Sequence, residues 1–289
     1  MTNFFLSDWF AYVLKFLNND VGIGNFAVTI VVFTLLVKLL ILPLDIRQRK
    51  ASLKTSALSG KMADIKRRYS DPQTQQKKIQ ELYRKEGVSS MASCLPSLIS
   101  LPILIALVGS VAIIANEQLA QFVLGGANAD AVQPFFWVKN MWQPDSGLES
   151  ATVIPSLQHW ENMLPSLQGN NFELYNLVKD IDYTSVVQPA VDSFAGYANG
   201  WFILPLLCGG LQVLQAFLMP QSINPQTGKP QGRGMFYVMA AVGVVICVSQ
   251  SAVFALYWVM STLTSIVVQL LLNKTIQTKK NEKEVVVIE

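Results

Sequence analysis

Residues 24–44 read GNFAVTIVVFTLLVKLLILPL, an apolar run in which the only polar side chains past Asn25 are Thr29, Thr34 and Lys38. At 1.5 Å per residue a helix over this run is about 30 Å long, the thickness of a bilayer's hydrocarbon core. It is therefore predicted to be a membrane span, residues 23–44, closed by Pro43. A charge inside a span is costly, which makes Lys38 informative. One reading is that it snorkels, since its stem is long enough to approach the headgroups. The other is that it faces a wet cavity, and Thr34, one turn earlier on the same face, favours this second reading.

Working outward from that run, the same segregation recurs. Apolar residues make up 51% of the 289 and charged ones only 14%, too few for a soluble domain. Residues 95–115 and 201–219 are predicted to be the second and third spans, the latter stopped by Pro220. Residues 235–272 would form a helix of about 57 Å, nearly twice what a bilayer needs. Ser249, Gln250 and Ser251 break the run near its middle, so a tight turn is predicted there, with a fourth span over 235–250 and a fifth over 252–272. Both are short, which implies a locally thinned bilayer. Residues 1–22 are too short to span and have no signal-peptide pattern, so they are expected to persist as an interfacial amphipathic helix. Its polar side is assigned to Ser7, Asp8, Ala11, Lys15 and Asn18, and its apolar side to Phe5, Trp9, Val13 and Phe16.

The charges orient these spans. Residues 45–90 hold twelve Lys and Arg against five acids, whereas residues 116–200 hold two against nine. The first segment is thus predicted to be cytoplasmic and the second extracytoplasmic. The N-terminus then lies outside, while the 220–234 loop, with Lys229 and Arg233, and the 273–289 tail lie in the cytoplasm. Within 45–90, Ile46, Leu53, Leu58, Met62, Ile65 and Tyr69 trace an apolar stripe, Asp71-Pro72 breaks it, and Ile79, Leu82 and Tyr83 begin another. This pattern predicts an antiparallel helical hairpin. Residues 116–200 show no period and are expected to form irregular structure with short helices.

No phosphate loop or nucleophile motif is present, and His159, the single histidine, reads as a surface loop residue, so an enzyme is not expected. Cys94, Cys208 and Cys247 lack metal-ligand spacing and read as small core residues, with neither disulfide nor zinc. No metal or cofactor is expected. Ser97, Ser100, Gln212, Gln215, Thr262, Ser265 and Gln269 punctuate the spans. Singly, each suits a helix–helix hydrogen bond; together with Lys38 they would line one hydrophilic groove, with Tyr257 and Trp258 at its rim. The predicted spans contain no Asp or Glu, which argues against a proton- or cation-coupled transporter.

Five stretches carry a resemblance: 24–44 quoted above, YSDPQTQQKKIQELYRKEGV in the basic hairpin, CLPSLISLPILIAL at 94–107, ILPLL at 203–207 and ALYWVMSTLTSIVVQLLL at 255–272. In these the chain resembles the YidC-type membrane protein insertases, which include the mitochondrial and chloroplast oxidase-assembly relatives. The resemblance implies an all-α membrane protein with five helices around a hydrophilic groove open to cytoplasm and lipid and sealed outside. It places the groove's basic residue at Lys38, where the family more often has arginine. The neighbouring threonine falls at Thr34 and further polar positions at Ser100, Thr262 and Gln269; a greasy slide for departing client helices falls on the second and fourth spans.

The expected function is a membrane protein insertase and chaperone of the cell membrane, working without a nucleotide. Its partners would be newly made membrane proteins and the lipid bilayer, with the ribosome and the Sec translocon as further candidates, and no nucleic acid bound directly. The substrate-binding groove would comprise Lys38, Thr34, Ser100, Gln212, Tyr257, Thr262 and Gln269. Two alternatives stay open: a small-anion channel or transporter using Lys38, and an assembly factor attached to a translocon.

Overall fold

A computed structural model describes residues 5–87, 95–148, 152–218, 222–223, 230–231 and 233–286. Cys94, Lys229 and the side chain of Ser100 lie outside the described residues. In chain order the helices are α1 (Phe5–Lys15), α2 (Phe26–Ala57), α3 (Ser59–Arg68), α4 (Pro72–Lys85), α5 (Leu95–Leu124), α6 (Leu157–Asn170), α7 (Phe172–Val178), α8 (Tyr183–Ser193), α9 (Ile203–Leu218), α10 (Arg233–Ser249) and α11 (Ala252–Val286). A two-residue antiparallel pair, β1 (Ser222–Ile223) with β2 (Pro230–Gln231), lies between α9 and α10. Among the described residues three helical segments are long and apolar enough to cross a membrane: Phe26–Arg47, Pro102–Leu124 and Ala252–Asn273. Ile203–Leu218 and Tyr237–Ser249 are shorter apolar helices.

The chain divides into two compact units, each described in turn. The first holds residues 1–34, 101–209 and 242–260. In it α1 packs Ser7, Phe10, Ala11 and Leu14 inward, while Phe5, Trp9, Tyr12 and Phe16 are exposed. The side that packs on protein carries the small residues Ser7 and Ala11, and these four large aromatic residues point away from it. The reason is close approach. Ser7 sits so near Gly109 of α5 that a Cβ there would collide with its Oγ. The Phe10 ring meets Phe33 edge-on at 5.2 Å, and the Thr29 hydroxyl donates to Asn18 Oδ1 at 3.1 Å.

The 116–200 region of this unit has a core of its own. Trp160, Met163 and Leu167 of α6, Val178 of α7 and Tyr183, Val187 and Ala190 of α8 pack with Leu119, Ala120 and Val123 at the end of α5. The Trp160 and Tyr183 rings stack at 4.9 Å, and the Tyr183 hydroxyl donates to Pro155 O at 2.6 Å. The predicted turn at 249–251 separates α10 from α11. The first amides of α11 have no intrahelical acceptor; Ala252 N donates to Gln143 O at 2.9 Å and Val253 N to Met141 O at 3.0 Å. Cys208 and Cys247 are buried thiols.

The second unit holds residues 35–100, 210–241 and 261–289. Its α2 segment runs through Pro43 to Ala57, so Pro43 does not end the helix. A proline forfeits one backbone bond, a loss that membrane helices tolerate. The α3–α4 pair forms the predicted hairpin. Asp71 caps α4, accepting from Thr74 N at 2.8 Å and Gln73 N at 3.4 Å, and Pro72 takes the first helical position, where no amide is needed. Gln75 Nε2 donates to Tyr69 O at 2.6 Å, and Lys61 pairs with Glu86 at 2.6 Å.

Candidate functional site

In the second unit the Lys38 ammonium donates to Ser265 Oγ at 2.9 Å, joining α2 to α11. The Ser265 hydroxyl in turn donates to Ser261 O at 2.9 Å, which leaves its lone pairs for the cation. Thr262, Ser265 and Gln269 stand at i, i+3 and i+7, one face of α11. Thr262 and Gln269 are both buried, and Gln269 Oε1 has no hydrogen-bond donor among the described residues. An orphaned buried acceptor costs about 1–3 kcal/mol, so this face is chemically incomplete as it stands. Gln212 of α9 is half-buried in the same unit.

Asp45 also bears on the lysine. Because α2 continues past Pro43, Asp45 stands seven residues on, on the same helical face, about 10.5 Å along the axis. Its carboxylate charge acts on Lys38. Two acids lie in the apolar helical segments just past the ends of the predicted spans: Asp45 within Phe26–Arg47 and Glu117 within Pro102–Leu124. Glu117 is 7% exposed; it pairs with Lys15 and accepts from Asn171 Nδ2 at 3.2 Å. Both acids escaped notice because the helices overrun the boundaries read from hydropathy.

Thr34 belongs to the first unit, is fully buried, and its hydroxyl donates to Ile30 O at 2.6 Å. That is the back-bond a threonine makes inside a helix, and it leaves the oxygen's lone pairs able to accept, as at Ser265. Tyr257, also of the first unit, is buried at 9% exposure. Ser265 was visible in the sequence only as one polar residue among several. Its spacing from Thr262 and Gln269 was the available signal; its pairing with Lys38 was not.

Comparison with known proteins bears on what this arrangement is for. Over 270 residues the chain is 26% identical to a protein of Fusobacterium nucleatum subsp. nucleatum named membrane protein insertase YidC, covering 93% of this chain and 95% of that one. It is 25% identical over 269 residues to a Clostridium perfringens protein of the same name, covering 91% and 84%. A Halalkalibacterium halodurans protein named membrane protein insertase YidC 1 is 42% identical over 109 residues, 35% of this chain and 42% of that one. The family described as 60Kd inner membrane protein matches residues 16–281. With nearly its whole length inside that match and several apolar helices able to hold it in a bilayer, the chain is a multi-pass membrane protein of the YidC family.

Proposed function

We propose that this protein is a membrane protein insertase and chaperone, and that the polar strip of Lys38, Ser265, Thr262 and Gln269 receives the polar part of a client on its way across the bilayer. The observation that carries the reading is the incomplete hydrogen bonding of that strip. In hydrocarbon every unsatisfied polar group costs several kcal/mol, so Gln269 Oε1 and the spare valences of the Lys38 ammonium call for water or a passing polar segment. The names of the relatives support the same reading.

In this reading five helices cross the membrane: α2, α5, α9, α10 and α11. The N-terminus lies outside, and the basic α3–α4 hairpin meets clients in the cytoplasm. Lys38 supplies attraction without entrapment: a client carboxylate about 6 Å away at an effective dielectric of 20 gains about 3 kcal/mol, comparable to the cost of about 2.5–3.5 kcal/mol of holding a lysine at a helix centre. The client's own burial supplies the drive, at about 25 cal/mol per Å² of apolar surface. No nucleotide is then needed, and the protein lowers the barrier only. Ribosome and translocon are auxiliary partners in this scheme.

The test is reconstitution of the purified chain alone in liposomes with a small membrane protein client, scored by protease protection of the translocated segment. Protection without translocon or nucleotide is expected. Anion flux in the absence of client, with no insertion, would favour the channel instead, and neither activity would favour an accessory assembly factor.

A further inference from the structure

A cavity of about 410 Å³ lies within the first unit. One wall is a single face of α5, from Val108 through Val111, Ala115 and Leu119 to Phe122. These positions advance by three or four residues and extend about 21 Å along the helix, starting within the apolar segment Pro102–Leu124 and reaching its end. Asn116 of α5 itself and, facing it, Gln133, Asn140 and Gln143, the 249–251 turn, and Ser156 with His159 add uncharged polar groups among apolar ones such as Val132, Ile154 and Phe254. Among the described residues no Lys, Arg, Asp or Glu lines it.

Several of these groups already have work. The Asn140 amide donates to Val153 O and accepts from Trp142 N, and the backbone carbonyl of Gln143 holds the start of α11. The side-chain amides of Asn116, Gln133 and Gln250 make no hydrogen bond among the described residues. The cavity thus offers free amide donors and acceptors opposite a long apolar wall, on a frame fixed by backbone bonds at the turn.

Three ligand chemistries fit differently. A phospholipid headgroup brings a phosphate, and no cation lines the cavity to meet it. A sugar headgroup is normally gripped on an open aromatic face, but the Trp142 ring is engaged edge-on by Phe26 at 5.2 Å. An extended polypeptide suits it best. Its backbone presents one neutral donor and one acceptor per residue, which primary amides match in kind, its apolar side chains can lie on α5, and about 400 Å³ is a normal size for a site taking a short segment.

We infer that this cavity binds an uncharged, extended stretch of client polypeptide, the part of the translocated segment that has left the Lys38 strip. This rests on the insertase reading above and adds a second holding point to it, one that selects against charge where the first attracts it.

The test places a benzophenone amino acid at Gln133, at Gln250 and, as a control outside the cavity, at the exposed Asp192 of α8, in the full chain in liposomes. Client insertion is scored in the same samples by protease protection. Adducts from Gln133 and Gln250 to the translocated residues of a halted client are expected at about ten times the Asp192 level. With the benzophenone moved to Val132, another lining residue, the Gln133→Ala, Gln250→Ala double variant should then lower capture by about tenfold, the loss of two neutral hydrogen bonds. Phospholipid adducts alone, or client adducts no stronger than from Asp192, while the client still inserts, would overturn the inference and leave the insertase reading standing. Failure of the wild-type chain to insert any client would overturn that reading, and this inference with it.

Discussion

Two buried polar clusters in this protein are built on opposite terms. In the 116–200 region of the first unit, Asp145 is fully buried and accepts from Trp201 N at 2.7 Å, Leu204 N at 2.6 Å and Trp137 Nε1 at 3.0 Å. Joined to it through Pro144, Asn199 accepts from Asn140 N at 2.7 Å and donates to Asn140 O and Pro144 O at 2.8 and 2.9 Å. Every polar side-chain atom there has a partner. On α11 of the second unit, Gln269 is equally buried but its oxygen has none, and Lys38 spends one of three donors on Ser265. A saturated network fixes structure, because nothing can enter it without breaking a bond. An unsaturated one is a standing invitation to a polar visitor.

The sharpest way to break this comparison is to desaturate the first cluster. Asp145→Ala would leave three donors buried and unpaired, at a cost of about 3 kcal/mol or more. Limited proteolysis should then cut within 116–200, and the Trp201 and Leu204 amides should lose their protection from hydrogen exchange. Unchanged protection would show that the carboxylate is not what holds the start of α9. Gly200→Ala should act in the same direction, since a Cβ there collides with Asp145.

A smaller effect is expected where saturation depends on one contact between elements. Glu117→Ala removes the partner of Lys15 and of Asn171 together. A loss of about 1–3 kcal/mol, read as faster amide exchange in α1, would mark this pair as the tie that docks α1. No change in α1 would assign its docking wholly to the contact of Ser7 with Gly109.

The smallest effect belongs to the exposed cap of α4. Hydrogen bonds from the Thr74 hydroxyl and amide hold the Asp71 carboxyl below its ordinary value of 3.8. A depressed folded value stabilises the hairpin above the unfolded carboxyl's pKa, and that contribution is lost as pH falls through 3.8 toward the folded value. Amide protection at Gln73 and Thr74 should decline over that acid window in the wild type and be absent at all pH values in Asp71→Ala. A pH-independent protection at these two amides would show that Pro72 alone starts the helix.

Features encoded by neighbouring residues were legible in the sequence, and features encoded across distance were not. Asp71-Pro72 and Ser249-Gln250-Ser251 break their helices because the signal and its consequence occupy the same few residues. Pro43 misled because the cost of a proline is set by what surrounds the freed carbonyl, and here α2 carries on and brings Asp45 toward Lys38. The docking of α1 was invisible because it depends on Ser7 meeting Gly109, far apart in the chain, and small residues let helices approach closely. The core of the 116–200 region was invisible because it is assembled from three short helices and the end of α5, with no period to reveal it. Of the site, Lys38, Thr262 and Gln269 were legible from their rarity in apolar runs, whereas the Lys38–Ser265 bond, 227 positions apart, has no local trace.

Lys38 is where the proposed function is most exposed to failure. Two matched clients, one with acidic residues in its translocated segment and one without, would be presented to liposomes carrying wild-type protein, Lys38→Arg, Lys38→Ala or Lys38→Glu. Arg should keep activity on both clients, because charge rather than hydrogen-bond shape does the attracting. Glu should lower insertion of the acidic client by more than about a hundredfold, because losing an attraction of about 3 kcal/mol alone gives that factor and the new repulsion adds to it, with a far smaller effect on the neutral one. Equal insertion of the acidic client by wild type, Ala and Glu would mean that Lys38 only snorkels to the headgroups, and the polar strip would lose its part in moving clients.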